Sequence, residues 1–181
     1  MAARAKRSTR GEGLLDADCA RALAETLHHG QRDAGAAPLV DHVRRVAAAV
    51  PPGARVVAWL HELLEHTAIS EAALLMEGLT TADLRALRLL TRDQDSQSSA
   101  VYLSHIELLA RARGPGAGIA HSVKRADLMD RMRHPLIRPN GWSPPYQLGL
   151  KALELAALDR RSHGRSRGPS PRRSSEAARD A

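Results

Sequence analysis

The chain has 181 residues, 43% of them hydrophobic and 26% charged, which is enough for one globular domain with a sizeable core and short of what two would need. With no phenylalanine and only Trp59, Trp142, Tyr102 and Tyr146 as large rings, the core must come from Leu, Val, Ile and Ala, and a platform for stacking nucleic-acid bases is poorly supplied. Cys19 is the single cysteine, which excludes an intramolecular disulfide framework and a Cys-based zinc ribbon. No apolar run approaches the ~18 residues needed to span a bilayer, and the basic residues 1–13 have no apolar stretch behind them, so no secretory signal is expected. The expected location is the cytoplasm, with no membrane partner.

The formal net charge of +7 invites a nucleic-acid reading. Residues 1–13 carry +3 and residues 160–181 carry +5, while the body between them carries −1. The two ends read as disordered, the second because its Ser, Gly, Pro and Arg show no apolar period. Such a tail is suited to weak, salt-sensitive contact with nucleic acid or an acidic surface, or is simply solvated.

The body, residues 14–159, reads as helix after helix. Asp16 or Asp18 caps a first helix in which Ala20, Leu23, Ala24 and Leu27 recur at helical spacing, running to about His29 and Gly30. Pro38 opens a second helix whose stripe is Leu39, Val43, Val46, Ala47 and Val50, ended by Pro51, Pro52 and Gly53. A third helix is expected over about 54–66. Ser70 and Thr80 or Thr81 cap two more, with Gly78 closing the first. Helices over about 99–113 and 118–134 flank the breaker Gly114, Pro115 and Gly116, and a Pro-rich connector at 135–145 precedes a last helix ending near Asp159. No stretch alternates with period two, so the fold class is an all-α helical bundle.

On a continuous third helix, Glu65, Glu62 and His66 fall at about 40°, 100° and 140° from His61, opposite an apolar face. A solvated face is the ordinary reading. Yet no basic residue interrupts these two imidazoles and two carboxylates, and such donors suit a divalent ion. His61 and His66 are five apart, which excludes the H-E-x-x-H zinc-protease motif and also fails H-x-x-E-H. Further ligands must come from elsewhere: His42 opens the second helix, and Asp127 shares its helix face with Lys124, Asp130 and Arg131. Alone, His42 reads equally as a structural histidine. His28 reads as a helix-terminal histidine near free carbonyls, while His105, His121 and His134 match no ligand spacing.

In order along the chain stand His28, Gly30 and Gln31; Gly35, Pro38 and His42; Leu60, His61, Glu62, Glu65, His66 and Thr67; Leu90 and Thr91; and Val123, Lys124, Ala126 and Asp127. This series resembles the HD-domain phosphohydrolases, specifically the hydrolase domain of the RelA/SpoT type and its small stand-alone relatives. The resemblance covers the whole body. It implies a divalent ion, typically manganese, held by His42, His61, Glu62 and Asp127, with Glu65 and His66 at the catalytic positions and Lys124, Arg131 and Arg32 towards the substrate. The implied reaction removes pyrophosphate from the 3′ position of guanosine tetra- or pentaphosphate, or hydrolyses a related nucleotide. The chain departs from the family pattern at Glu62 (usually Asp), His66 (usually the second catalytic acid), Leu39 (Tyr), Val43 (Pro) and Arg131 (Asn), and the loop at 32–35 lacks the usual Arg-Lys pair. The same departures fit a catalytically lapsed scaffold that binds a nucleotide or a partner, and the basic tail fits a nucleic-acid-associated protein.

Overall fold

A computed structural model describes residues 14–33, 35–92, 98–134 and 144–165, with side chains described up to residue 159. The elements are α1 (Ala17–Leu27), α2 (Leu39–Ala49), a 3-10 turn (Pro52–Ala54), α3 (Arg55–Leu60), α4 (Leu63–His66), α5 (Glu71–Met76), α6 (Thr81–Leu90), α7 (Ser99–Arg111), α8 (Ala117–Arg133) and α9 (Tyr146–Arg165). Among the described residues there is no strand, only an isolated bridge between Arg32 and Pro38. The expected all-α bundle is therefore observed. No described helix is long and apolar enough to cross a membrane. Residues 1–13 and 166–181, most of the Pro-rich connector and Trp142 lie outside the described residues.

Local chemistry sets the helix ends. Asp16, rather than Asp18, caps α1, its carboxylate accepting from Cys19 N–H at 2.8 Å. Ser70 accepts from Ala73 N–H at 3.1 Å, and Thr80 from Asp83 N–H at 3.0 Å, each quenching a donor that the first turn leaves open. Gly78, at φ +93°, ends α5 in the left-handed region, with Gly78 N–H on Leu75 O and Leu79 N–H on Leu74 O, both at 3.0 Å. That pair of bonds is a Schellman closure.

The apolar stripe of α2 is buried as expected, every one of its five residues at 5% exposure or less. The core is built from Leu, Val and Ala side chains with Ile106, and Trp59, Tyr102 and Tyr146 pack within it. At its centre lies α8, which packs against α2, α3, α6, α7 and α9. Gly116, the left-handed residue before α8, makes that position possible: a Cβ there would stand 2.3 Å from the Ala82 carbonyl of α6.

Two helix boundaries differ from expectation. The third helix is not continuous, because it breaks at His61 and Glu62 into α3 and α4, Glu62 taking φ −96° and ψ −8°. The break coincides with the His61 imidazole bonding back to the Ala58 carbonyl at 2.7 Å, a side chain competing for a helix acceptor. The last helix runs on to Arg165 instead of stopping near Asp159, Arg160 and Arg161 being good helix formers.

Candidate metal centre

The break between α3 and α4 re-aims two neighbours at one point. On a continuous helix His61 and Glu62 diverge by about 100°, whereas here His61 Nε2 and Glu62 Oε1 are 3.3 Å apart. From α2, His42 Nε2 comes within 3.3 Å of His61 Nε2 and 3.5 Å of Glu62 Oε1. From α8, Asp127 Oδ1 comes within 3.3 Å of His42 Nε2. All four residues are buried, so these chain-distant side chains form one buried group able to hold a metal ion.

Proton bookkeeping sharpens the point. The Ala58 carbonyl can only accept, so His61 Nδ1 carries the hydrogen and its Nε2 presents a lone pair in the neutral ring. The Asp130 carboxylate fixes His42 in the same tautomer through a 2.7 Å bond to Nδ1. With His42 neutral, two imidazole Nε2 lone pairs and two carboxylate oxygens lie close together, a donor set suited to a divalent ion. Donor atoms about 2.1 Å from a divalent ion are separated by about 3.0–3.4 Å along the edges of an octahedron or tetrahedron; four of the donor pairs stand at 3.3–3.5 Å, and all the donor atoms lie within 4.8 Å of one another. The donor set fits a divalent ion, and a carboxylate bonded to the far nitrogen of a ligating histidine is the usual support for one.

Without an ion the charges are met from within. Arg131 donates from Nη2 to Glu62 Oε1 and from Nε to Asp127 Oδ1 at 2.7 Å. Lys124 Nζ donates to Asp127 Oδ2 at 2.8 Å. Burial works to raise the Glu62 and Asp127 carboxyls, but for Glu62 the Arg131 charge and bonds to the three histidines, and for Asp127 the Lys124 and Arg131 charges, hold both well below the ordinary range. His42 is opposed by burial and by Arg131, yet hydrogen bonds to Asp127, Asp130 and Glu62 lift it to about 9.

Glu62 faces two ways, for its Oε2 meets His66 Nε2 at 2.9 Å. That hydrogen bond raises the pKa of His66. Glu65 is raised first by burial and then by the Glu62 charge, while its Oε1 accepts the Arg92 N–H at 2.6 Å. Glu62, Glu65 and His66 form a second group of closely spaced donors. Arg92 also lines a cleft of about 540 Å³ with Leu64, Ile69 and Thr91.

The structure thus gathers His42, His61, Glu62, Asp127, Glu65, His66, Lys124 and Arg131 around one region. Arg32 is exposed in the loop before α2, and its guanidinium donates to the Ala36 carbonyl at 2.7 Å. His28 is helix-terminal as expected, the C-cap of α1, and is buried there: its Nδ1 bonds Gln31 Oε1 at 2.8 Å, and Gln31 Nε2 donates to the His66 carbonyl at 2.9 Å. Sequence reading puts Asp130 on the Asp127 helix face without pairing it with His42, and misses Arg45, the cation on Asp130 at 2.7 and 2.9 Å. Their signal was spacing, since Arg45 follows His42, and Asp130 follows Asp127, by three residues on a helix. Comparison of the chain with family models and with curated proteins finds no match.

Proposed function

We propose that this protein is a metal-dependent phosphohydrolase of the HD-domain type acting on a nucleotide. Mn²⁺ is the expected ion, and removal of pyrophosphate from guanosine tetra- or pentaphosphate is the first activity to test. The observation that carries this reading is the convergence of His42, His61, Glu62 and Asp127 from three helical segments onto one buried point, with both imidazole Nδ1 atoms already committed to other partners. Those residues are the ones that the resemblance to HD hydrolases assigns to the ion.

A divalent ion held there supplies a Lewis acid that activates water and polarises a phosphoryl oxygen. Glu65, one helical turn beyond His61 and raised by burial and the Glu62 charge, is suited to accept the proton of the attacking water. The water oxygen bonds to phosphorus, the bond from phosphorus to the ribose 3′ oxygen breaks, and the proton ends on that oxygen. His66, hydrogen-bonded to Glu62 and partly exposed, would give its own proton to that oxygen and regain one when Glu65 releases the proton taken from water to solvent. Metal analysis of the purified protein and incubation with guanosine tetraphosphate and Mn²⁺ test the reading. Bound metal and released pyrophosphate are the expected result; a metal-free protein that releases neither pyrophosphate nor phosphate from any nucleotide overturns it.

One observation favours a second reading. Arg131 and His66 both bind Glu62, so the carboxylate is satisfied without an ion, as in a lapsed scaffold that still binds a nucleotide or partner. The double change Glu62→Asp with His66→Asp separates the two. Recovered turnover marks a lapsed site, and reduced turnover a working one.

A further inference from the structure

The guanidinium of Arg131 lies on the two carboxylate oxygens that an ion would need. Its Nη2 bonds Glu62 Oε1, and its Nε bonds Asp127 Oδ1 at 2.7 Å. Those atoms are also the ones that meet the histidines, Glu62 Oε1 at 3.3 Å from His61 Nε2 and Asp127 Oδ1 at 3.3 Å from His42 Nε2. A carboxylate oxygen can serve an ion and a guanidinium together only if the charge permits it. Here it does not, because Glu62, Asp127 and Asp130 are already matched by Arg131, Lys124 and Arg45. A divalent ion added to this set leaves two uncompensated positive charges among buried groups, and such charge is strongly penalised.

Two changes relieve that excess: the arginine leaves the carboxylates, or an anion enters. Arg131 is built for the first. It lies in the last turn of α8, and its side chain, at 16% exposure, is more open to solvent than the two carboxylates it holds, at 6% and 3% for Glu62 and Asp127. A guanidinium is also the side chain best matched to phosphate oxygens.

We propose that Arg131 and the divalent ion exchange on Glu62 and Asp127, and that the displaced Arg131 becomes the binding residue for a phosphate dianion, so that ion and phosphate bind cooperatively. This rests on the reading of the cluster as a metal centre. In the ion-free state Arg131 holds the carboxylates apart from solvent cations. In the loaded state the dianion restores neutrality and takes the guanidinium, and by linkage each ligand tightens the other.

The experiment is calorimetric titration of Mn²⁺ into the full chain and into Arg131→Met, each with and without saturating inorganic phosphate. The expected result is that Arg131→Met binds Mn²⁺ at least about tenfold more tightly than the native protein, and that phosphate tightens Mn²⁺ binding by about tenfold in the native protein and much less in the variant. Equal Mn²⁺ affinities, with phosphate acting alike on both, overturn the exchange and leave the metal centre standing. Absence of Mn²⁺ binding by both proteins overturns the metal centre and the exchange together. Should Arg131→Met not fold, the native protein decides by nitrogen-15 NMR: the Arg131 Nε–H, donated to Asp127, is expected to exchange slowly when metal-free and to shift and exchange faster once Zn²⁺ loading is verified on the same sample. A signal unmoved by loaded Zn²⁺ overturns the proposal.

Discussion

Replacing Asp130 by Ala removes a residue that bears on the metal centre only through another side chain. Asp130 accepts from His42 Nδ1 at 2.7 Å and from Arg45 Nε and Nη2 at 2.7 and 2.9 Å. Charge-assisted bonds contribute about 1.5–3 kcal/mol each when shielded from water. The His42 bond is buried and counts in full, whereas the Arg45 side chain is 39% exposed and its pair is discounted for screening. The expected loss is about 2–4 kcal/mol, or roughly 5–15 °C in melting temperature for a chain of this size. Without Asp130 the His42 ring loses its fixed tautomer and orientation, and Mn²⁺ affinity is expected to fall about 10- to 100-fold. Asp130→Asn, which keeps an oxygen acceptor and gives up the charge, should fall between. Burial works to raise the Asp130 carboxyl, but bonds to His42 and Arg45 hold it below the ordinary carboxylate range. A depressed carboxyl contributes stability that is present above its unfolded pKa of about 3.9 and disappears as pH drops through the lower folded value. The gap between native protein and Asp130→Ala should therefore be full at pH 7 and close below about pH 4. Urea denaturation at several pH values and Mn²⁺ calorimetry measure both effects; native stability at pH 7 together with unchanged Mn²⁺ affinity in Asp130→Ala would refute the reasoning.

The raised pKa of His42, about 9, predicts that metal-free stability contributed by this group is complete below about pH 6.5 and is lost as pH rises through about 9, a change on the order of 3 kcal/mol. Because an ion must displace the same proton, Mn²⁺ affinity should rise about tenfold per pH unit up to pH 9, and a flat profile from pH 7 to 9 would contradict the assignment. His61→Ala should abolish Mn²⁺ uptake yet leave the metal-free protein folded. Asp127→Ala strands Lys124 and Arg131 and should lose about 3–5 kcal/mol as well, a difference read by urea titration. Gly116→Ala is expected to destabilise by about 2–4 kcal/mol, from the left-handed φ and the 2.3 Å approach to Ala82 O. Gly53→Ala, with nothing within 4 Å of the added carbon, should stay within about 0.5 kcal/mol of native; equal losses at the two glycines would refute the close-packing account of the α6–α8 approach.

Periodicity made α2 readable because its apolar residues face one core and nothing else competes for them. Caps such as Ser70 and Thr80 were readable because the first turn of a helix needs an acceptor at a fixed place. The break at His61 and Glu62 was not, since it comes from a tertiary demand: two neighbours must reach one point that lies across the bundle. No property of residues 54–66 alone announces that demand, and the apolar wheel favours an unbroken helix. The four clustered donors were legible as chemistry through residue type and order, but the supports of His42 were not. Asp130 and Arg45 belong to different helices, and only the packing of α2 against α8 brings them together.

Helix α8 carries the central tension of the molecule. Its buried side chains include Lys124, Asp127 and Asp130 alongside Val123, Ala126 and Leu128, so one helix is both the middle of the apolar core and the wall of an ionic cluster. A buried ionic group is favourable only when every charge is answered at close range, and in the metal-free protein the answer is complete: Lys124 and Arg131 on Asp127, Arg45 on Asp130, Arg131 and His66 on Glu62. Completeness stabilises the ion-paired arrangement and, by the same free energy, opposes an incoming ion. An uncharged residue at position 131 would leave Glu62 and Asp127 short of one cation and make the ion part of the fold. With Arg131 the fold supplies that cation itself, so the ion becomes a ligand that must compete. The expected consequence is a protein whose melting temperature changes little on removal of metal, and whose metal occupancy at a given Mn²⁺ concentration depends on whether a phosphate is present to take Arg131.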